Sequence, residues 1–155
     1  MPGQAERKKS VKYKLVPQEL EIRDKKVMIM DDSIVRGNTS REIVRMLKDF
    51  GAKEVYFSVA CPPVNSPCFY GVDMPTKSEL IAGNMNEEEI ENYLEVDALL
   101  YQKIDDLVEA VTRKGDHHID TPCMACLDGN YIANDINDAK IAQMEAMRVN
   151  DRNGK

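Results

Sequence analysis

Several things are scarce in this chain, and each scarcity excludes a class of protein. No apolar run approaches the roughly 20 residues that a membrane-spanning helix takes, so insertion across a bilayer is excluded. The opening stretch, Met1-Pro2-Gly3-Gln4 followed by Ala5-Glu6-Arg7-Lys8-Lys9-Ser10, holds no hydrophobic segment of the secretory kind. A reducing, cytoplasmic setting is therefore expected, and the four cysteines are expected to be free thiols. Positive charge is also short: the net charge is −6, which argues against a nucleic-acid partner, although a nest of backbone amides at a helix start holds a phosphate whatever the overall sign. No internal repeat is visible. What is present, 155 residues with 43% hydrophobic and 31% charged content, suits one soluble domain.

The pattern along the chain predicts an α/β fold with a parallel sheet. Residues 1–26 are polar and basic and read as a mobile arm and a connection. Val27-Met28-Ile29-Met30, stopped by Asp31-Asp32, suits a strand buried on both faces. Thr39-Ser40-Arg41-Glu42 matches a capping box with Thr39 as N-cap, and Ile43, Val44, Leu47 and Phe50 give the helix an apolar face before Gly51 ends it. Val55 to Ala60 is a second buried strand, completing a βαβ unit of right-handed crossover. A weaker third cycle follows: Glu87 to Tyr93 is helical, Ala98-Leu99-Leu100-Tyr101 is a short strand, and Ile104, Leu107, Val108 and Val111 repeat with a helical period. The pattern fails after Gly115, and Ile136 to Met147 reads as a weakly amphipathic helix. The expected division is 1–26, 27–115 and a cysteine-containing tail at 116–155.

The chemically loaded segment lies where the first strand hands over to the first long helix, the place where open α/β sheets bind ligands. From Arg36 to Ser40 it combines a glycine, two hydroxyls and a helix N-terminus, the parts of a phosphate cradle. Asp31 and Asp32 add carboxylates suited to hydroxyl recognition, to magnesium, or to a cation developing near the phosphate.

The string Asp31-Asp32-Ser33-Ile34-Val35-Arg36-Gly37, with Thr39-Ser40 after it, resembles the phosphoribosyl pyrophosphate motif of type I phosphoribosyltransferases, in the form found in the glutamine phosphoribosylpyrophosphate amidotransferases. Asn38 stands where that family usually has threonine. Val11-Lys12-Tyr13-Lys14-Leu15 with Pro17 is similar to the end of the family's flexible loop, with Lys12 where arginine is common. Gly71-Val72-Asp73-Met74-Pro75 with Ser78-Glu79-Leu80-Ile81-Ala82 is similar to another of its signatures.

The resemblance implies an enzyme of purine synthesis that forms 5-phosphoribosylamine from phosphoribosyl pyrophosphate and glutamine-derived ammonia. It implies that Asp31 and Asp32 hold the ribose hydroxyls and help keep Mg²⁺. Ser33, Arg36, Gly37, Asn38, Thr39 and Ser40 then bind the rest of the phosphoribosyl group, the last five cradling the 5′-phosphate. A homo-oligomer is implied for the intact enzyme. The family's glutaminase domain and first half-sheet have no counterpart in this sequence, so a fragment with little activity of its own is expected. A non-catalytic phosphoribosyl pyrophosphate- or nucleotide-binding module and a structural zinc protein are the alternatives.

Cys123-Met124-Ala125-Cys126 is by itself divided between a metal site and two small buried residues. Cys68, in Ser66-Pro67-Cys68-Phe69-Tyr70-Gly71, resembles a ligand position of the family's iron–sulfur type. By that resemblance Cys68, Cys123 and Cys126 ligate a structural [4Fe–4S] cluster whose fourth cysteine lies outside the chain, Cys61 being read as a buried strand-end residue. Three cysteines with His117 or His118 form the rival zinc site.

Overall fold

The computed structural model describes residues 16–113, 119–133 and 136–153. A single helical turn, α1 (Glu19–Ile22), leads into β1 (Lys26–Asp31). Helix α2 (Asn38–Asp49) returns the chain to β2 (Glu54–Val59), and α3 (Glu87–Leu94) returns it to β3 (Ala98–Tyr101). Helices α4 (Ile104–Thr112), α5 (Ala125–Asp128) and α6 (Asp138–Asn153) complete the described chain. The three strands lie in the order β1-β2-β3, all parallel, with Ile29 opposite Phe57 and Phe57 opposite Leu99.

Each crossover helix is made by identifiable local chemistry. At the end of α2, the Gly51 amide donates to the Lys48 carbonyl and the Ala52 amide to the Leu47 carbonyl, the paired bonds of a Schellman ending. Gly51 takes φ +85°, which that ending requires of its glycine. At the start of α3, Asn86 Oδ1 accepts from the Glu89 amide at 2.9 Å while Glu89 Oε2 accepts from the Asn86 amide at 2.8 Å, a reciprocal capping box.

The inward face of the sheet carries Val55, Phe57 and Val59, which pack with Val44 and Leu47 of α2 and Ile90 and Leu94 of α3. Phe57 and Val44 are fully buried. Ile22 of α1 joins this core, and the Asp24 amide donates to the Gly51 carbonyl, so the end of the basic N-terminal stretch docks beside the α2 ending. A second, smaller cluster of Val64, Met74, Leu80 and Leu127 gathers the loops that leave the sheet, with Val35, Cys61, Cys68, Ile104, Leu107, Met124 and Cys126 against it.

Two expectations are corrected here. β1 is not buried on both faces: Met28 and Met30 are 58% and 79% exposed, while Val27 and Ile29 pack inward. Both crossover helices pack on the Phe57 side, so the alternate residues of β1, like Leu100 of β3, face outward. Nor is Thr39 the N-cap of α2. Gly37, at φ +73°, is the residue before the helix, Asn38 opens it, and Thr39 is exposed within its first turn.

Candidate functional site

The site is the turn from β1 into α2, at the carboxyl end of the sheet. Asp31 ends the strand, its carbonyl accepting from the Ala60 amide at 3.0 Å, which fixes the height at which the loop leaves the sheet. Asp31 Oδ1 accepts from the Asp32 amide at 3.0 Å, and Asp32 Oδ1 accepts from Ser33 Oγ at 3.1 Å. These local bonds turn the chain at the two carboxylates, Asp32 in the solvent and Asp31 half-buried. Ile34, 2% exposed, then plugs into the core and anchors the middle of the loop.

Past Ile34 the loop is braced by the segment before α3. The Val35 carbonyl accepts from the Ile81 amide at 2.9 Å. The Arg36 guanidinium donates to Glu79 Oε1 through Nη2 at 2.9 Å and Nε at 3.2 Å. Glu79 is itself fixed, its Oε2 accepting from the Thr76 amide at 3.1 Å and from Thr76 Oγ1 at 3.0 Å. The Arg36 side chain thus turns toward the Lys77–Glu79 turn and braces the loop.

Gly37 is the tightest point. A Cβ placed on it meets Ile81 Cδ1 at 2.6 Å and Tyr93 Cε1 at 3.2 Å. Its carbonyl accepts from the Arg41 amide at 2.9 Å, so the helix ladder begins at this glycine. The amides that open a helix have no intrahelical acceptor, and their aligned dipoles favour an anion at that end. Asn38 is held by Tyr93, whose hydroxyl donates to Asn38 Oδ1 at 3.0 Å. Ser40 is buried and Thr39 exposed.

Behind the loop lies a charged brace. Arg41 stacks on the Tyr93 ring at 4.5 Å and donates to Glu95 Oε1 at 2.8 Å, while Arg45 donates to the same oxygen at 2.6 Å. Hydrogen bonds from Arg45 and Arg41 hold the Glu95 carboxyl at about 2, well below the ordinary carboxylate range.

Cys61, Cys68 and Cys126 lie elsewhere, against the second cluster. Cys68 and Cys126 are half-buried and Cys123 is exposed. Burial pushes the Cys126 thiol up and the nearby Cys68 adds to the shift; burial likewise raises Cys61, with Cys126 next in effect. Among the described residues, no three Cys, His, Asp or Glu side chains gather into a group that could hold a metal ion. Cys126 is in electrostatic reach of both Cys68 and Cys123, so the three expected thiols lie near one another without closing into such a group. His117 and His118, the rival zinc ligands, lie outside the described residues, as does the stretch from Val11 to Leu15.

The segment after Cys123 is instead tied down by ordinary protein contacts. The Cys126 carbonyl accepts from the Asn65 and Ser66 amides, both at 3.1 Å, and Asn65 Nδ2 donates to the Leu127 carbonyl at 2.7 Å. The Tyr131 hydroxyl donates to the Pro67 carbonyl at 2.7 Å, and its ring packs 5.3 Å from that of Phe69. A cavity of about 370 Å³ lined by Tyr70, Cys123, Ile132 and Ala133 opens on this side, with no residue of the β1–α2 loop in its wall.

No sequence signal assigned Glu79, Tyr93, Arg41 or Glu95 to the site. Thr76-Lys77-Ser78-Glu79 carries a capping-box spacing that signals the turn, but not its pairing with Arg36. Nothing local marks Tyr93.

Comparison with known proteins fits this architecture. No protein-family model matches the chain. It is 47% identical over 148 residues to the amidophosphoribosyltransferase of Pseudomonas aeruginosa, a match covering 96% of this chain and 29% of that protein. To the amidophosphoribosyltransferase of Methanothermobacter thermautotrophicus it is 44% identical over 149 residues, covering 96% and 30% respectively. Among solved structures, glutamine phosphoribosylpyrophosphate amidotransferase from B. subtilis, complexed with ADP and GMP, superposes with a TM-score of 0.69 at 37% identity, covering 89% of this chain and 30% of that one. A structure described as the allosteric regulatory enzyme of purine biosynthesis superposes with a TM-score of 0.70 at 34% identity, covering 94% and 31%. The chain spans about three-tenths of the length of these relatives. Over the segment it spans, the chain is similar to the amidophosphoribosyltransferases and has the parallel α/β architecture of the type I phosphoribosyltransferases.

Proposed function

We propose that this chain carries the phosphoribosyl pyrophosphate site of an amidophosphoribosyltransferase, the activity that forms 5-phosphoribosylamine at the entry to purine synthesis. The observation that carries the reading is the β1–α2 turn. Paired carboxylates at a strand end run into a glycine with no room for a Cβ, and then into the amides of a 12-residue helix.

In this reading the 5′-phosphate sits on the amides opening α2, with the Thr39 hydroxyl beside them and Gly37 bringing the backbone close. The Asp31 and Asp32 carboxylates accept hydrogen bonds from the ribose hydroxyls. In the reaction the ammonia nitrogen bonds to carbon 1, the carbon–oxygen bond to pyrophosphate breaks, pyrophosphate leaves with the electron pair, and nitrogen releases a proton to solvent. The developing positive charge on the ribose ring is stabilised by the two nearby carboxylates.

Magnesium fits this donor set. It takes one or two carboxylates together with substrate phosphates and water, which Asp31 and Asp32 supply without a protein cage. When bound it neutralises charge on the departing pyrophosphate. Cys68, Cys123 and Cys126 offer three of the four thiolates that a [4Fe–4S] cluster takes, with Cys126 in electrostatic reach of the other two, and no role here depends on one.

The test is a chimera in which the 148 matching residues replace their counterpart in the Pseudomonas aeruginosa relative. Glutamine-dependent release of pyrophosphate is expected, together with its loss in Asp31→Asn/Asp32→Asn. Full turnover in that double variant would overturn the assignment of the carboxylates.

A further inference from the structure

We infer that Tyr93 is a positioning residue for the phosphate loop, acting through Asn38, an inference that rests on the phosphate-loop reading above. Four observations converge on this side chain. Its hydroxyl donates to Asn38 Oδ1 at 3.0 Å, across 55 residues of sequence. The edge of its ring lies where a Cβ on Gly37 would be, at 3.2 Å. The Arg41 guanidinium covers its face at 4.5 Å. Glu95, two residues on, accepts from that guanidinium at 2.8 Å. Tyr93 therefore touches Gly37, Asn38 and Arg41, the residue before α2 and two in its opening turns.

Asn38 carries a side-chain carbonyl oxygen that only accepts. With that oxygen held by the phenol, rotation about the Asn38 side chain is restricted and its amide group is aimed in one direction. A loop set before ligand arrives loses less conformational freedom on binding, and affinity rises accordingly. Tyr93 makes no contact with a phosphate held by α2 in this reading, so its effect is on how the loop is held.

The experiment uses the full chain with ribose 5-phosphate as the probe. Dissociation constants come from calorimetry, and amide hydrogen exchange is followed at Gly37 to Arg41. Tyr93→Phe keeps the ring, and with it the packing against Gly37 and Arg41, so folding is preserved. Its expected effect is roughly 3- to 10-fold weaker binding, with faster exchange confined to these amides and a melting temperature lowered by no more than about 4 °C. Asn38→Ala is expected to weaken binding at least as much, and the double variant to be no weaker than Asn38→Ala alone, because Tyr93 acts through Asn38. Wild-type binding with an unchanged Tyr93→Phe affinity and exchange pattern would overturn the inference and leave the loop reading standing. A wild-type chain that does not bind the sugar phosphate at all would overturn both. Additive losses in the double variant would also overturn the inference, since the two side chains would then act separately.

Discussion

Replacing Gly37 with alanine tests the geometry of the loop where it is tightest. Two costs are expected. Gly37 holds φ +73°, and an L-residue in the left-handed region costs about 1–2 kcal/mol. The new Cβ would also lie 2.6 Å from Ile81 Cδ1, an overlap that forces one of them to move. The contacting atom is the far end of a side chain, but Ile81 is only 6% exposed and is packed into the main core. Overpacking of this kind costs about 1–3 kcal/mol. Together they amount to about 2–5 kcal/mol, and for a chain of this size that lowers Tm by roughly 5–15 °C.

Gly71→Ala is the control, because Gly71 has φ +120° and a Cβ added there would meet nothing within 4 Å, so only backbone strain applies. Thermal melts followed by circular dichroism compare the two. A Gly37→Ala loss no larger than that of Gly71→Ala would show that the approach of Ile81 and Tyr93 to the loop is not tight, and would refute the packing described around it.

Three further outcomes follow from the same structure. Phe57→Ala, at a fully buried position in the middle strand, is expected to cost about 3–5 kcal/mol in urea unfolding; a loss under about 1 kcal/mol would mean the sheet face is not the core. Tyr131→Phe removes the hydroxyl bond to the Pro67 carbonyl while keeping the ring against Phe69, and is expected to speed limited proteolysis after residue 119 with little change in the sheet; unchanged cleavage would contradict the docking of that segment. Acid titration tests Glu95, whose folded pKa of about 2 lies below its ordinary value. The stability it contributes is present above about pH 4.5 and is lost as pH falls toward 2, so Glu95→Gln is expected to flatten the decline of the urea midpoint across that window. An equally steep decline in the variant would place the acid sensitivity elsewhere.

Local signals in the sequence located most of the frame. The apolar run ending at Asp31, the glycine after Phe50 and the Ala98–Tyr101 strand all stand where pattern and punctuation put them. The two misreadings have specific causes. Four consecutive apolar residues in β1 look like a strand covered on both sides, but periodicity cannot report that α2 and α3 pack on the same face. Thr39 and Glu42 have capping-box spacing, yet the left-handed Gly37 starts the helix at Asn38. The place of the loop between β1 and α2 was legible, while its supports were not. Glu79 reaches Arg36 across 43 residues and Tyr93 reaches Asn38 across 55, separations at which no local rule applies. The spacing of Cys123 and Cys126 was by itself divided between a metal pair and two buried residues, and it carried no signal for the bonds through Asn65, Ser66, Pro67 and Tyr131 that hold the segment.

The central claim is that the β1–α2 turn binds phosphoribosyl pyrophosphate. Its most direct test is a titration of the full chain with phosphoribosyl pyrophosphate and Mg²⁺, followed by amide NMR. Saturable shifts centred on Asp31, Asp32 and the amides from Gly37 to Ser40, abolished in Asp31→Asn/Asp32→Asn, are the predicted result. Shifts that saturate elsewhere while these amides stay still, or no shifts at millimolar ligand, would contradict it.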